Sequence, residues 1–80
     1  MHELGILLQI VKTVNRIAEE NCIRKIKHIA LDVGEASGFV PYYLTKLYSV
    51  AADAYPILQK AELRIRLVSG KGLLIKEIGY

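Results

Sequence analysis

Cysteine is nearly absent from this sequence: Cys22 is the single thiol among 80 residues. One thiol forms no intramolecular disulfide and cannot build a cysteine-based zinc site, which takes two or more thiolates. No apolar run approaches the roughly 20 residues that span a bilayer. The N-terminus has no basic segment ahead of its apolar run and no small-residue cleavage site, so a signal peptide is not expected. A cytoplasmic, reducing compartment is the expectation. Charge is also modest. A net charge of +3 is too small an excess to indicate nucleic acid, and Arg24-Lys25-Ile26-Lys27 is the one dense basic group. Phe39, Tyr42, Tyr43, Tyr48 and Tyr55 fall mostly in a helical stretch, whereas an RNA-reading sheet needs aromatics on its strands. Neither nucleic acid nor a membrane is an expected partner.

What the sequence does have is apolar content, 52%, enough to fold as a single small domain over residues 1–80. Leu7, Ile10, Val11, Val14, Ile17 and Ala18 recur at three- and four-residue spacing, which predicts a helix from about Leu4 to Asn21. Asn21 is the expected left-handed stop. From Lys25 to Val33 the period is two, with Ile29, Leu31 and Val33 on one side, which predicts a strand. Gly34 to Gly38 reads as a loop, and Pro41 as the first turn of a second helix buried through Leu44, Leu47, Tyr48 and Ala51. Ala61, Leu63, Ile65 and Leu67 alternate with Glu62, Arg64 and Arg66, giving a second strand. Residues 68–72 read as a short turn. Leu73 to Ile78 is a third strand whose faces are ambiguous. The expected fold is α+β, in the order α-β-α-β-β closed by a hairpin, with two helices packed on one face of a three-stranded sheet.

The N-terminus carries the most chemistry. The Met1 α-amine, the backbone nitrogen of His2 and the His2 imidazole can close a five- and a six-membered ring on one metal ion. Glu3 can add its backbone nitrogen or its carboxylate. Nitrogen donors in a plane suit Ni(II) and Cu(II), with copper the stronger binder. Each donor must lose its proton to bind, so affinity should fall with acid. The bland alternative is a frayed, solvated terminus. His28 reads as ordinary strand surface, Cys22 as a small buried residue, and Ser37 as a cap on the first turn of the second helix. No Ser-His-Asp or Cys-His arrangement and no phosphate loop is visible, so an enzyme is not expected.

Three stretches resemble one family. Met1-His2-Glu3-Leu4 is similar to the opening of HypA-type (HypA/HybF) hydrogenase maturation proteins. Leu31-Asp32-Val33-Gly34-Glu35-Ala36-Ser37-Gly38-Phe39-Val40-Pro41 resembles that family's strand-loop-helix segment, and Leu74-Ile75-Lys76-Glu77-Ile78 its closing strand. Family members insert a zinc ribbon with two Cys-x-x-Cys pairs before that strand; here only Val68 to Gly72 fills the space. The chain thus resembles a ribbon-less nickel-binding domain, and no zinc is expected. The resemblance implies Ni(II) held at Met1, His2 and Glu3 as cargo. It also implies delivery to the [NiFe]-hydrogenase large subunit together with the nickel GTPase of hydrogenase maturation. The alternative is a protein-interaction module that docks on a maturation partner without metal. A homo-oligomer by strand exchange at a free sheet edge is open in either case.

Overall fold

The computed structural model describes residues 2–80. Helix α1 spans Glu3–Glu20, strand β1 His28–Gly34, helix α2 Pro41–Ala52, β2 Glu62–Val68 and β3 Leu73–Gly79. A short 3-10 turn at Pro56–Leu58, unforeseen in the sequence, leads into β2. The α+β class and the element order are as expected.

The spacing of apolar residues explains α1. Leu7, Ile10, Val11, Val14 and Ala18 are buried on one stripe, the width a core-facing helix needs. Its end differs from expectation. Cys22, with φ 56°, takes the left-handed position, and Asn21 does not (φ −108°). Ile23 N–H donates to the Ala18 carbonyl at 2.9 Å and Cys22 N–H to that of Glu19 at 3.3 Å, the paired bonds of a Schellman close. This geometry turns Cys22 outward, so the expectation of a buried thiol fails: the residue is exposed.

The sheet order is β2-β1-β3, with β1 parallel to β2 and antiparallel to β3. The expected closing hairpin is therefore not formed. β2 and β3 lie on opposite edges, and residues 69–72 cross over the end of β1 between them. Gly34 N–H donates to the Gly72 carbonyl, Glu35 N–H to Val68 and Ala36 N–H to Gly70, at 2.7, 2.7 and 2.8 Å. Placing β1 at the centre buries Ile29, Leu31 and Val33 completely or nearly so beneath the helices, where each also gains a strand neighbour on both sides.

A bulge in β3 resolves its ambiguous faces. Ala30 pairs with Glu77 but Leu31 with Ile75, leaving Lys76 as the extra residue. Leu73, Ile75 and Ile78 consequently all pack against the core, despite a spacing that breaks strict alternation. Leu74, on the face away from the helices opposite Asp32, is 61% exposed. Leu67 departs from its expected inward role: near the end of edge strand β2 it is 57% exposed. On the open face Arg66 clasps Asp32 through two bonds of 3.1 and 2.9 Å, and this guanidinium holds the Asp32 carboxyl below its usual range.

The turn after α2 is tied back by Tyr48, whose buried hydroxyl donates to the Leu58 carbonyl at 3.3 Å. Burial pushes that phenol above its ordinary pKa. Tyr48→Phe should cost about 1 kcal/mol, since it leaves the Leu58 carbonyl short of one donor. Urea unfolding with an unchanged m-value would check this.

Candidate metal site at the amino terminus

His2 occupies the position just ahead of α1, with φ −101° and ψ 4°. Its carbonyl accepts the Ile6 N–H at 3.1 Å, so the backbone is already committed to the helix. Its imidazole makes no capping bond and is exposed. Beside it is an open recess lined by Gly5, Ile6, Gln9 and Phe39. A helix leaves its first N–H groups without intrahelical acceptors. A metal that replaces an amide proton here therefore breaks no helical hydrogen bond.

Glu3 is placed very differently. It is 2% exposed and lies on the apolar stripe of α1. Its carboxylate accepts the Val40 N–H at 2.9 Å. Val40 is the N-cap of α2 and supplies no capping side chain of its own. Glu3 thus performs, from a distant helix, the task that the glutamate of a local capping box performs for its own. The Glu3 carboxyl is held down to about 2, first by a hydrogen bond with the amino terminus and then by the Val40 N–H, against the opposing effect of burial. A carboxylate engaged in this way holds α2 to α1.

This placement has a consequence for acid stability. The folded-state pKa of Glu3 lies below the ordinary carboxyl value of 4.5. Its contribution is therefore complete above the unfolded pKa and is lost as pH falls through that value towards about 2. Glu3→Gln should lower the melting temperature at neutral pH, and the gap between variant and parent should close on acidification through this window. Thermal melts by circular dichroism across that range would test it; a gap independent of pH would contradict the assignment.

Met1, the third expected donor, lies outside the described residues. Among the described residues no group of three or more His, Cys, Asp or Glu side chains is assembled. His28 does not join His2. It begins β1, at the opposite end of the strand from the loop that carries Phe39. Nor is it the ordinary surface residue expected: its imidazole packs against Gly79, and Nε2 is buried without a hydrogen-bond partner, 3.8 Å from Glu77 Oε1. Ser37 also departs from expectation. Its hydroxyl accepts the Phe39 N–H at 3.2 Å, bracing the loop ahead of α2 and not the helix itself.

Comparison with known proteins gives a consistent picture. Residues 1–78 match the HypA family, described as hydrogenase/urease nickel incorporation, metallochaperone. The hydrogenase maturation factor HypA of Methanosarcina barkeri is 32% identical over 68 residues, which are 85% of this chain and 50% of that protein. The chain therefore spans about half the length of this curated relative. The solution structure of the Ni metallochaperone HypA from Helicobacter pylori superposes with a TM-score of 0.78 at 15% identity, covering 96% of this chain and 72% of the other. A second HypA solution structure superposes with a TM-score of 0.72, also at 15% identity, over 96% of this chain and 71% of that one.

Proposed function

The chain belongs to the HypA family, and from that membership we propose that it binds Ni(II) at Met1, His2 and Glu3 and hands it on during hydrogenase maturation. The observation that carries this reading is the contrast between two neighbours. Glu3 is buried and engaged, whereas the His2 imidazole next to it is exposed and uncommitted. The His2 imidazole makes no capping bond and is open to solvent, so it is available as a ligand.

In this reading the amine of Met1, the main-chain nitrogens of His2 and Glu3 and the His2 imidazole surround the ion in a nitrogen-rich plane, which suits Ni(II). Such a set does not select nickel over copper; selection falls to supply and to the receiving protein. The anchored Glu3 side chain keeps the first turn of α1 fixed against α2, so His2 and Glu3 start from a defined backbone. The recess beside His2 leaves one side of the ion open to a recipient. That recipient is the hydrogenase large subunit, with the nickel GTPase of maturation as the coupled partner. Nickel titration of untagged protein beside its His2→Ala variant tests the reading. If the variant binds nickel as well as the parent, the domain is a docking module instead.

A further inference from the structure

The loop between α1 and β1 and the 3-10 turn before β2 face each other across an open recess. Its rim holds Arg24, Lys25, Lys27 and Lys60, and its floor is formed by Pro56 and Ile57. All four cations are exposed, while Ile57 is half buried and packs on the core. No carboxylate lines this recess.

Several cations elsewhere in the fold are engaged, whereas those of the recess are not. Arg16, Arg64 and Arg66 pair with Glu20, Glu62 and Asp32, and Lys46 lies over the Tyr42 ring. Among the described residues, Arg24, Lys25, Lys27 and Lys60 form no ion pair. The fold brings three from one loop and one from a turn more than thirty positions later in the chain. Like charges gathered around one recess repel, and a bound anionic group relieves that repulsion. The backbone beneath is fixed: Lys27 N–H donates to Gly79 and the Lys27 carbonyl accepts from Glu62, at 2.7 and 2.9 Å. The rim therefore hangs from the ends of all three strands and not from a floppy loop.

We propose that this recess docks an acidic segment of a partner protein, with carboxylates at the cationic rim and an aliphatic side chain over Pro56 and Ile57. The apolar floor favours a peptide over a free phosphate. One feature argues against nucleic acid: no aromatic ring lines the recess to stack a base. The recess lies beyond the C-terminal end of α1, and His2 precedes the other end. With 18 residues between them, that helix separates the two by about 27 Å. A partner held here leaves the amino terminus open.

The test uses the whole chain and a short fluorescein-labelled peptide of Asp and Glu around one Leu, followed by fluorescence anisotropy. Binding should weaken with added salt and fall at least about tenfold for the double variant Arg24→Glu, Lys60→Glu. The pair Lys12→Glu, Lys71→Glu carries the same change in net charge away from the recess and should stay within about twofold of the parent. Serine in place of the peptide's leucine should weaken binding as well. A benzophenone attached at the exposed Cys22, two positions before Arg24, should crosslink the bound peptide. Equal loss in both double variants would reduce the recess to net charge and overturn the proposal. So would tighter binding of a single-stranded RNA of matched charge, or displacement of the peptide by inorganic phosphate at equal charge concentration. Nickel stoichiometry should not change in either double variant, which separates this proposal from the reading of the amino terminus.

Discussion

His2→Ala should abolish stoichiometric nickel binding while leaving the fold intact. The imidazole is exposed and makes no capping bond, so its removal leaves no buried partner unsatisfied and should not move the melting temperature measurably. The effect on metal is of a different size. Loss of residues that merely orient a ligand commonly costs 10–100-fold in affinity, so loss of the ligand itself should cost at least about 100-fold. The chelate also collapses as a unit. Main-chain nitrogens give up their protons to a metal only once it is anchored beside them, and the imidazole is one of the two anchors. Calorimetric titration beside the visible absorption of a square-planar nickel complex would register both losses together. Acetylation of the terminal amine should mimic the substitution, because it removes the second anchor. Retention of nickel in both altered proteins would end the metal reading.

Acid should act in the same direction. Every donor exchanges a proton for the ion, so protons compete with nickel as the solution is acidified from neutral pH. Loading should therefore decline as pH falls. The decline lies well above the region in which Glu3 loses its hold on Val40, since that carboxyl is held to about 2. Between the two the protein should be folded and metal-free. Release thus needs no unfolding.

Much of this architecture was legible because the apolar periods of α1, β1 and α2 are strong, and most of the residues they mark are in the core; Leu47 is only partly buried and Ile17 stays outside it. The failures have separate physical origins. The connection at 68–72 carries turn chemistry that serves a hairpin and a crossover equally, and only the central place of β1 decides between them. The third strand hid its faces because a bulge at Lys76 inserts one residue into a two-residue repeat. Glu3 offered a signal that went unread: it shares a stripe with Leu7, Ile10 and Val14, and a carboxylate on an apolar face needs a buried donor. Its donor, Val40, lies 37 positions away, beyond the reach of any local pattern. His2 stands out in the sequence only by its place beside the terminal amine. The cationic recess was half visible as Arg24-Lys25-Ile26-Lys27, but Lys60 and the Pro56–Ile57 floor join it only through the fold.

Gly34→Ala should destabilise the protein more than any other glycine substitution on this sheet. A Cβ there would strike the Gly70 carbonyl oxygen and stand 2.7 Å from its carbon and 2.9 Å from the Gly72 oxygen. All of these are backbone atoms of the crossover, and no rotamer change relieves the clash. The chain must instead lift off the end of β1, loosening the bonds from Gly34, Glu35 and Ala36 that hold it. Overpacking of this kind costs about 1–3 kcal/mol, and each weakened backbone bond about 1 kcal/mol more. A domain of this size loses about 4–8 °C per kcal/mol, so a fall of at least about 12 °C is expected. Gly5→Ala gives the opposite sign. That glycine is inside α1 with nothing within 4 Å of a new Cβ, and replacing helical glycine gains about 0.5–1 kcal/mol. Paired thermal melts of the two variants would read both directions at once. A mild effect at Gly34 would mean that the crossover yields, and that the link joining the two edge strands is not the rigid clamp its hydrogen bonds describe.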